Sequence, residues 1–164
     1  MTVKATSSAI GVIVRVLAED SDLQQRVRQD PTLIPQLIEE CLRLETPLPL
    51  MFRTAHRDVH IAGQHIKKGD RVGLFFGAAN RDPTVFDRPD EVDLERPHYR
   101  HLTFGAGVHR CIGSNLARLQ IRVAIEQLVG RLSPFRVPEG AEIVYASLQA
   151  RGPSSLPLEF APAG

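Results

Sequence analysis

The sequence predicts an α+β fold, mostly helical with small antiparallel sheets. Three observations predict it. Apolar residues recur at helical spacing through the first third of the chain and again beyond residue 112. Between Phe52 and Phe76 the pattern shortens to alternation, broken by Ala62-Gly63 and Lys68-Gly69-Asp70. From Asp82 to Tyr99 periodicity vanishes, in a charged stretch that holds Pro83, Pro89 and Pro97.

In chain order, Ala9, Ile10, Ile13, Val14, Val16 and Leu17 suit a well-buried helix ending near Glu19. Ser21 is positioned to cap a short second helix through Val27 and Arg28, which Pro31 stops. Thr32 can cap a third, whose apolar side is Leu33, Leu37, Cys41 and Leu44; Pro47 and Pro49 close it. The irregular stretch that follows the small sheet is long for a compact domain, and such segments are functional or strongly tethered. A fourth helix starts near Ile112. Ile112, Leu116, Leu119 and Val123 make one stripe, and Ile121, Ile125, Leu128 and Leu132 a second beside it, so the helix is expected to be broadly buried. After Pro134, the segments around Phe135, Val137, Ile143, Val144, Leu156, Leu158 and Phe160 read as short strands.

At 164 residues the chain is expected to form one domain over 1–164, and 43% apolar residues suffice for a core. A net charge of +1 gives no global field toward nucleic acid or anionic lipid. Its apolar runs are too short to span a bilayer, and Arg15 interrupts the stretch that loosely imitates a signal peptide, so neither nucleic acid nor a membrane is an expected partner. Two cysteines make no disulfide framework, which favours a reducing, cytoplasmic setting.

The segment richest in chemistry is His101-Leu-Thr-Phe-Gly-Ala-Gly-Val-His-Arg-Cys-Ile-Gly113. Its glycines, Gly105, Gly107 and Gly113, permit unusual backbone angles and close approach to a flat ligand. Cys111 directly precedes the fourth helix, whose unpaired N–H groups favour a thiolate, and His109 and Arg110 stand beside it. The residues alone leave three readings: a small core cysteine in a turn, a zinc site from His101, His109 and Cys111 without a fourth ligand, or an axial ligand to haem iron.

Phe104-Gly-x-Gly-x-His-x-Cys111-x-Gly113 resembles the haem-ligand signature of the cytochrome P-450 monooxygenases. Glu40-Cys-Leu-Arg43 resembles the family's Glu-x-x-Arg motif, and Arg96, in Glu95-Arg96-Pro97, stands where the family completes a Glu-Arg-Arg cluster. Arg53-Thr-Ala-x-x-Asp58 is similar to the strand whose arginine binds a haem propionate in bacterial members. Order and spacing resemble the soluble bacterial type across nearly the whole chain.

The resemblance implies haem (iron protoporphyrin IX) held by the Cys111 thiolate, with Arg53, Phe104, Gly105, His109, Gly113 and Ala117 around it. Arg53 and His109 would meet the propionates, since cationic donors suit carboxylates. Glu40 and Arg43, three residues apart, share a helix face and would form with Arg96 a structural cluster that holds the cysteine loop. Thr6 stands as the catalytic alcohol for proton delivery, although Ala5 replaces the family's acid and Val3 its glycine. An acid-free relay would use water or Ser7.

A whole family member is more than twice this length, so the chain resembles a C-terminal fragment of the architecture that begins partway along the distal helix. The implied activity is haem-thiolate monooxygenation of a small organic substrate with electrons from a protein such as a ferredoxin. Arg100, Arg110 and Arg118 form either its docking patch or a solvated face. The alternative is a truncated, non-catalytic haem-binding or interaction module, active only with a partner chain. Faces left by absent helices would be apolar, so self-association or a covering partner chain is expected. His56, His60, His65 and His98 match no motif and read as ordinary surface or strand positions.

Overall fold

The computed structural model describes residues 2–97, 100–145 and 150–160, so His98 lies outside the described residues, as does the side chain of Val3. Helices α1 (Thr2–Glu19) and α2 (Ser21–Gln29) are followed by a 3-10 turn (Pro31–Leu33) that runs into α3 (Ile34–Leu44). Four strands come next: β1 (Leu50–Thr54), β2 (Val59–Ile61), β3 (Gln64–Ile66) and β4 (Arg71–Phe75). A single turn, α4 (Phe76–Ala79), leads into the irregular stretch and then α5 (Ser114–Arg131). The chain finishes with β5 (Phe135–Arg136), β6 (Val144–Tyr145), β7 (Pro153–Ser155) and β8 (Glu159–Phe160). The fold is α+β with small antiparallel sheets: β1 pairs β4, β2 pairs β3, β5 pairs β8 and β6 pairs β7.

The core lies where α1, α3 and α5 meet. Val12, Ile13 and Leu17 from α1 close on Leu37, Ile38 and Cys41 from α3 and on Ile121, Ile125 and Val129 from α5. Each fully buried aliphatic side chain contributes about 1.5–3 kcal/mol relative to exposure, and this cluster is what makes the three helices a rigid frame. Cys41 belongs to it: burial pushes its thiol well above the ordinary range, so it is an inert core residue.

The helix ends differ from the sequence expectation in their capping residues. Asp20, not Ser21, caps α2, its carboxylate accepting the Leu23 N–H at 2.9 Å, while its own N–H closes α1 on the Val16 carbonyl. Asp30, not Thr32, caps the 3-10 turn before α3. In both places an aspartate stands just ahead of the hydroxyl residue, and a carboxylate near the positive end of a helix is the stronger acceptor.

Polar side chains join the helical frame to the final strands. Buried Gln24 donates to the carbonyls of Leu17 and Phe135 and accepts the Phe135 N–H. Arg28 donates to the carbonyls of Val129, Leu132 and Ser133, covering the otherwise unpaired end of α5.

The expectation of a broadly buried α5 is corrected. Ile121, Ile125 and Val129 are buried, but Leu116, Leu119 and Val123 are 55, 57 and 48% exposed, and Ile112 just before the helix is fully exposed. Both stripes are apolar, yet only one has a partner among the described residues. No helix among the described residues is long and apolar enough to cross a membrane.

Candidate functional site

The irregular stretch is pinned to α3 by charge. Glu40 accepts from Arg43 at Oε1 and Oε2 (2.9 and 3.0 Å), from Arg96 Nε at 2.9 Å and from the Asp93 N–H at 2.9 Å. The remaining guanidinium hydrogens meet backbone carbonyls: Arg43 reaches Asn80, Pro89 and Glu91, and Arg96 reaches Asp87 and Arg88. The buried Phe86 ring lies under both cations, 5.1 Å from Arg43 and 5.9 Å from Arg96. Burial by itself would raise the Glu40 carboxyl, but the hydrogen bonds from Arg43, Asp93 and Arg96 outweigh it and hold it below the usual range.

Asn80, at the end of α4, carries this cluster over to the cysteine loop. Its backbone carbonyl accepts from Arg43 while its buried side chain donates to Thr46 and Thr103 and accepts the Leu102 N–H at 2.6 Å. Thr103 in turn donates to the Leu42 carbonyl of α3. The loop therefore leaves the frame at a fixed point. It turns back on itself through Gly105 N–H to the Leu102 carbonyl and Cys111 N–H to the Phe104 carbonyl, both at 2.8 Å. Gly105 sits at φ +68, where a side chain is strained, and a Cβ there would press to 3.3 Å of the His109 carbonyl oxygen, so glycine is favoured on both counts. Helix α5 begins three residues after Cys111, with the Ser114 N–H on the Cys111 carbonyl.

The other side of the loop is held by Glu39. Arg118 of α5 donates to both of its oxygens, at 2.6 and 2.8 Å, and His101 Nε2 lies 3.1 Å from Oε2. Because His101 Nδ1 accepts the Thr103 N–H, the ring is the Nε2–H tautomer, and neither nitrogen is left to ligate a metal. His101 therefore drops out of the zinc reading, one of the three that the residues left open, and Arg118, open between a docking patch and a solvated face, is instead paired with Glu39. Among the described residues no group of three His, Cys, Asp or Glu is placed to hold a metal ion.

Cys111 lines an apolar groove of about 200 Å³ between the loop and α1. Thr6, Ala5 and Ala9 face it from α1, Phe104 from the loop, Gly113, Ala117 and Ile121 from α5 and the residue before it, and Leu48 from the segment after α3. Cys111 is a free, exposed cysteine. A lone thiol facing small, apolar walls suits a flat macrocycle that needs one axial sulfur, and it does not suit a closed zinc site. The structure thus brings Thr6, Phe104, Cys111, Gly113 and Ala117 to one groove. Gly105 shapes the loop without lining the groove. Arg53 and His109 do not line it either; Arg53 donates to the carbonyl of Phe52. Glu39 and Asn80 had no sequence signal, because their partners lie 62 and 79, and 22 and 34, residues away.

The family model described as Cytochrome P450 matches residues 4–143. A cytochrome P450 126 of Mycobacterium tuberculosis is 47% identical over 139 residues, covering 85% of this chain and 34% of its own length. The biotin biosynthesis cytochrome P450 of Bacillus subtilis is 41% identical over 136 residues, covering 83% of this chain and 34% of its own. The substrate-free structure of cytochrome P450 CYP150A6 from Mycobacterium marinum superposes with a TM-score of 0.93 at 35% identity, over 98% of this chain and 42% of that one. The chain spans about a third of the length of the curated relatives it matches. With a matching fold, motif order and cysteine loop, the chain belongs to the cytochrome P450 family.

Proposed function

We propose that this chain is the thiolate-bearing part of a haem monooxygenase, with Cys111 as the iron ligand. The observation that carries the reading is that a free cysteine from the loop and Thr6 from α1 line one apolar groove. Phe104, Gly113 and Ala117 would pack against the macrocycle, with Gly105 letting the loop approach it. Arg53 and His109, outside the groove lining, are assigned to the propionates on family resemblance. Haem held by a thiolate supplies oxygen activation, with one oxygen atom entering a small organic substrate. Thr6, which lines the groove from α1, would hand a proton into it; Ala5 offers no acid, so the relay would use water or Ser7. Arg100 and Arg110 are exposed on the side of the cysteine loop and suit an acidic electron donor such as a ferredoxin, in the cytoplasm.

Reconstitution with haem, reduction and addition of carbon monoxide tests this. The expected result is the red-shifted Soret band of thiolate ligation, lost in Cys111→Ser. A spectrum without that band in either protein would remove the reading.

A second reading is favoured by the exposed face of α5: a proximal module that is catalytically silent alone and becomes active, if at all, when a further chain or a second copy covers Leu116, Leu119 and Val123. Sedimentation at increasing concentration tests the self-association arm. A compact monomer throughout would leave only the separate partner.

A further inference from the structure

Glu39 has no part in the haem reading above, and its surroundings are unlike those of a surface carboxylate. It stands one residue before Glu40 on α3, about 100° round the helix, so its carboxylate addresses the cysteine loop while that of Glu40 addresses the irregular stretch. Its side chain is 16% exposed and that of His101 2%. Both oxygens are engaged by Arg118 and one also by His101. Burial would raise its carboxyl, but the hydrogen bonds from Arg118 and His101 and the Arg118 charge bring it down to about 2.

The other face of Arg118 matters as much. Its guanidinium lies 4.4 Å from the centre of the Phe104 ring, and His101 meets the same ring at 6.1 Å. A guanidinium held along its Nε–Nη2 edge by two parallel bonds to one carboxylate has its plane fixed, and a ring packed against it is fixed in turn. The Phe104 carbonyl accepts the Cys111 N–H at 2.8 Å. The path from the Glu39 carboxylate to the Cys111 backbone is therefore continuous: fork, ring, carbonyl, amide.

Resting on the reading of Cys111 as haem ligand, we propose that Glu39 is a positioning residue: by clamping Arg118 against Phe104 it sets the backbone position from which Cys111 presents its sulfur to the groove. His101, locked in one tautomer between Glu39 and the Thr103 N–H, closes the clamp from the loop side.

The test uses the whole chain, first without haem. Hydrogen exchange reads the Cys111 amide directly, and the rate of Cys111 alkylation by iodoacetamide reads its presentation; buried Cys41 is the internal control. Glu39→Ala is expected to speed exchange at the Cys111 amide about tenfold while the amides of the α1–α3 core keep their protection. Arg118→Lys should do the same, because lysine neither chelates both oxygens nor lies flat on a ring. The double variant should be no looser than either single one, and Glu39→Gln, which keeps an acceptor oxygen, should recover part of the protection. Should Glu39→Ala not fold, Glu39→Gln and Arg118→Lys carry the same comparison. Unchanged exchange at Cys111, a rise spread evenly over the chain, or additive effects in the double variant would each overturn the proposal. The haem-loaded proteins supply a second readout, in which the share of thiolate-type spectrum after reduction with carbon monoxide should fall in Glu39→Ala. A wild-type chain with no such spectrum would sink the haem reading alone, leaving the exchange result to decide the clamp.

Discussion

Arg43 and Glu40 are bonded to each other twice, at 2.9 and 3.0 Å, in a place where neither side chain touches water. Taking an ion pair out of water is costly, and the arrangement holds because all remaining donors find carbonyls. Removing one member strands the other. Arg43→Ala is expected to cost about 3–5 kcal/mol in urea unfolding, since it leaves Glu40 with only Arg96 and one N–H and frees two carbonyls of the irregular stretch and that of Asn80. A loss below 1 kcal/mol, on the scale of an exposed pair, would contradict the structural role of the cluster.

Acid should release the Glu39 clamp. The carboxyl is held at about 2 in the folded chain against an ordinary value of 4.5. A carboxyl with a depressed folded value contributes stability that is complete above its unfolded value and lost as pH falls through its folded one. The thermal midpoint of the wild type should therefore exceed that of Glu39→Gln at neutral pH, and the gap should close between about pH 4.5 and pH 2. A gap independent of pH would assign the effect to packing and not to charge.

Two glycines should respond to alanine with opposite signs. At Gly152, just before β7 and against α1, a Cβ would stand 2.5 Å from the Ser8 Cβ and 2.6 Å from its Cα, so backbone must move. Gly152→Ala is expected to cost about 1–3 kcal/mol, as overpacking does. At Gly130, inside α5, nothing lies within 4 Å of the added carbon, and alanine should stabilise by up to about 1 kcal/mol. Calorimetry of the two single variants checks the sign of each.

The exposed stripe of α5 can be made polar without touching the core. Leu119→Glu with Val123→Lys places an acid four residues before a base on a solvated face, which is mildly favourable in a helix. The unfolding free energy should stay within about 0.5 kcal/mol, while any concentration-dependent association of the wild type is reduced. Association that persists unchanged would place the contact elsewhere.

Local patterns explain what the sequence revealed. The helical stripe of α1 and the three-residue spacing of Glu40 and Arg43 are properties of a few neighbouring residues, and they appear in the structure as read. Of the α3 stripe, Leu37 and Cys41 are buried, whereas Leu33 falls in the 3-10 turn and Leu44 is half-buried. The caps differ from the sequence expectation because aspartates stand just ahead of Ser21 and Thr32, and composition alone does not rank nearby acceptors. The exposed side of α5 departs from expectation for a deeper reason: periodicity shows that a face is apolar, and says nothing of whether its partner is present. The Glu39 network was invisible because it joins α3, the loop and α5 over separations of 62 and 79 residues. Sequence neighbours therefore offer His101 only a place in the zinc alternative and leave Arg118 between a docking patch and a solvated face, whereas both pair with Glu39.

Two consecutive glutamates of α3 serve separate masters, one fastening the stretch that follows α4 and the other the loop that bears Cys111. Inserting a single residue upstream of them within that helix would swing both by about 100°, turning each toward the other's territory and matching neither. Natural or designed length variation is thus barred from this turn of helix, while the hairpin of β2 and β3, which faces solvent and bears on neither glutamate, is free to grow or shrink.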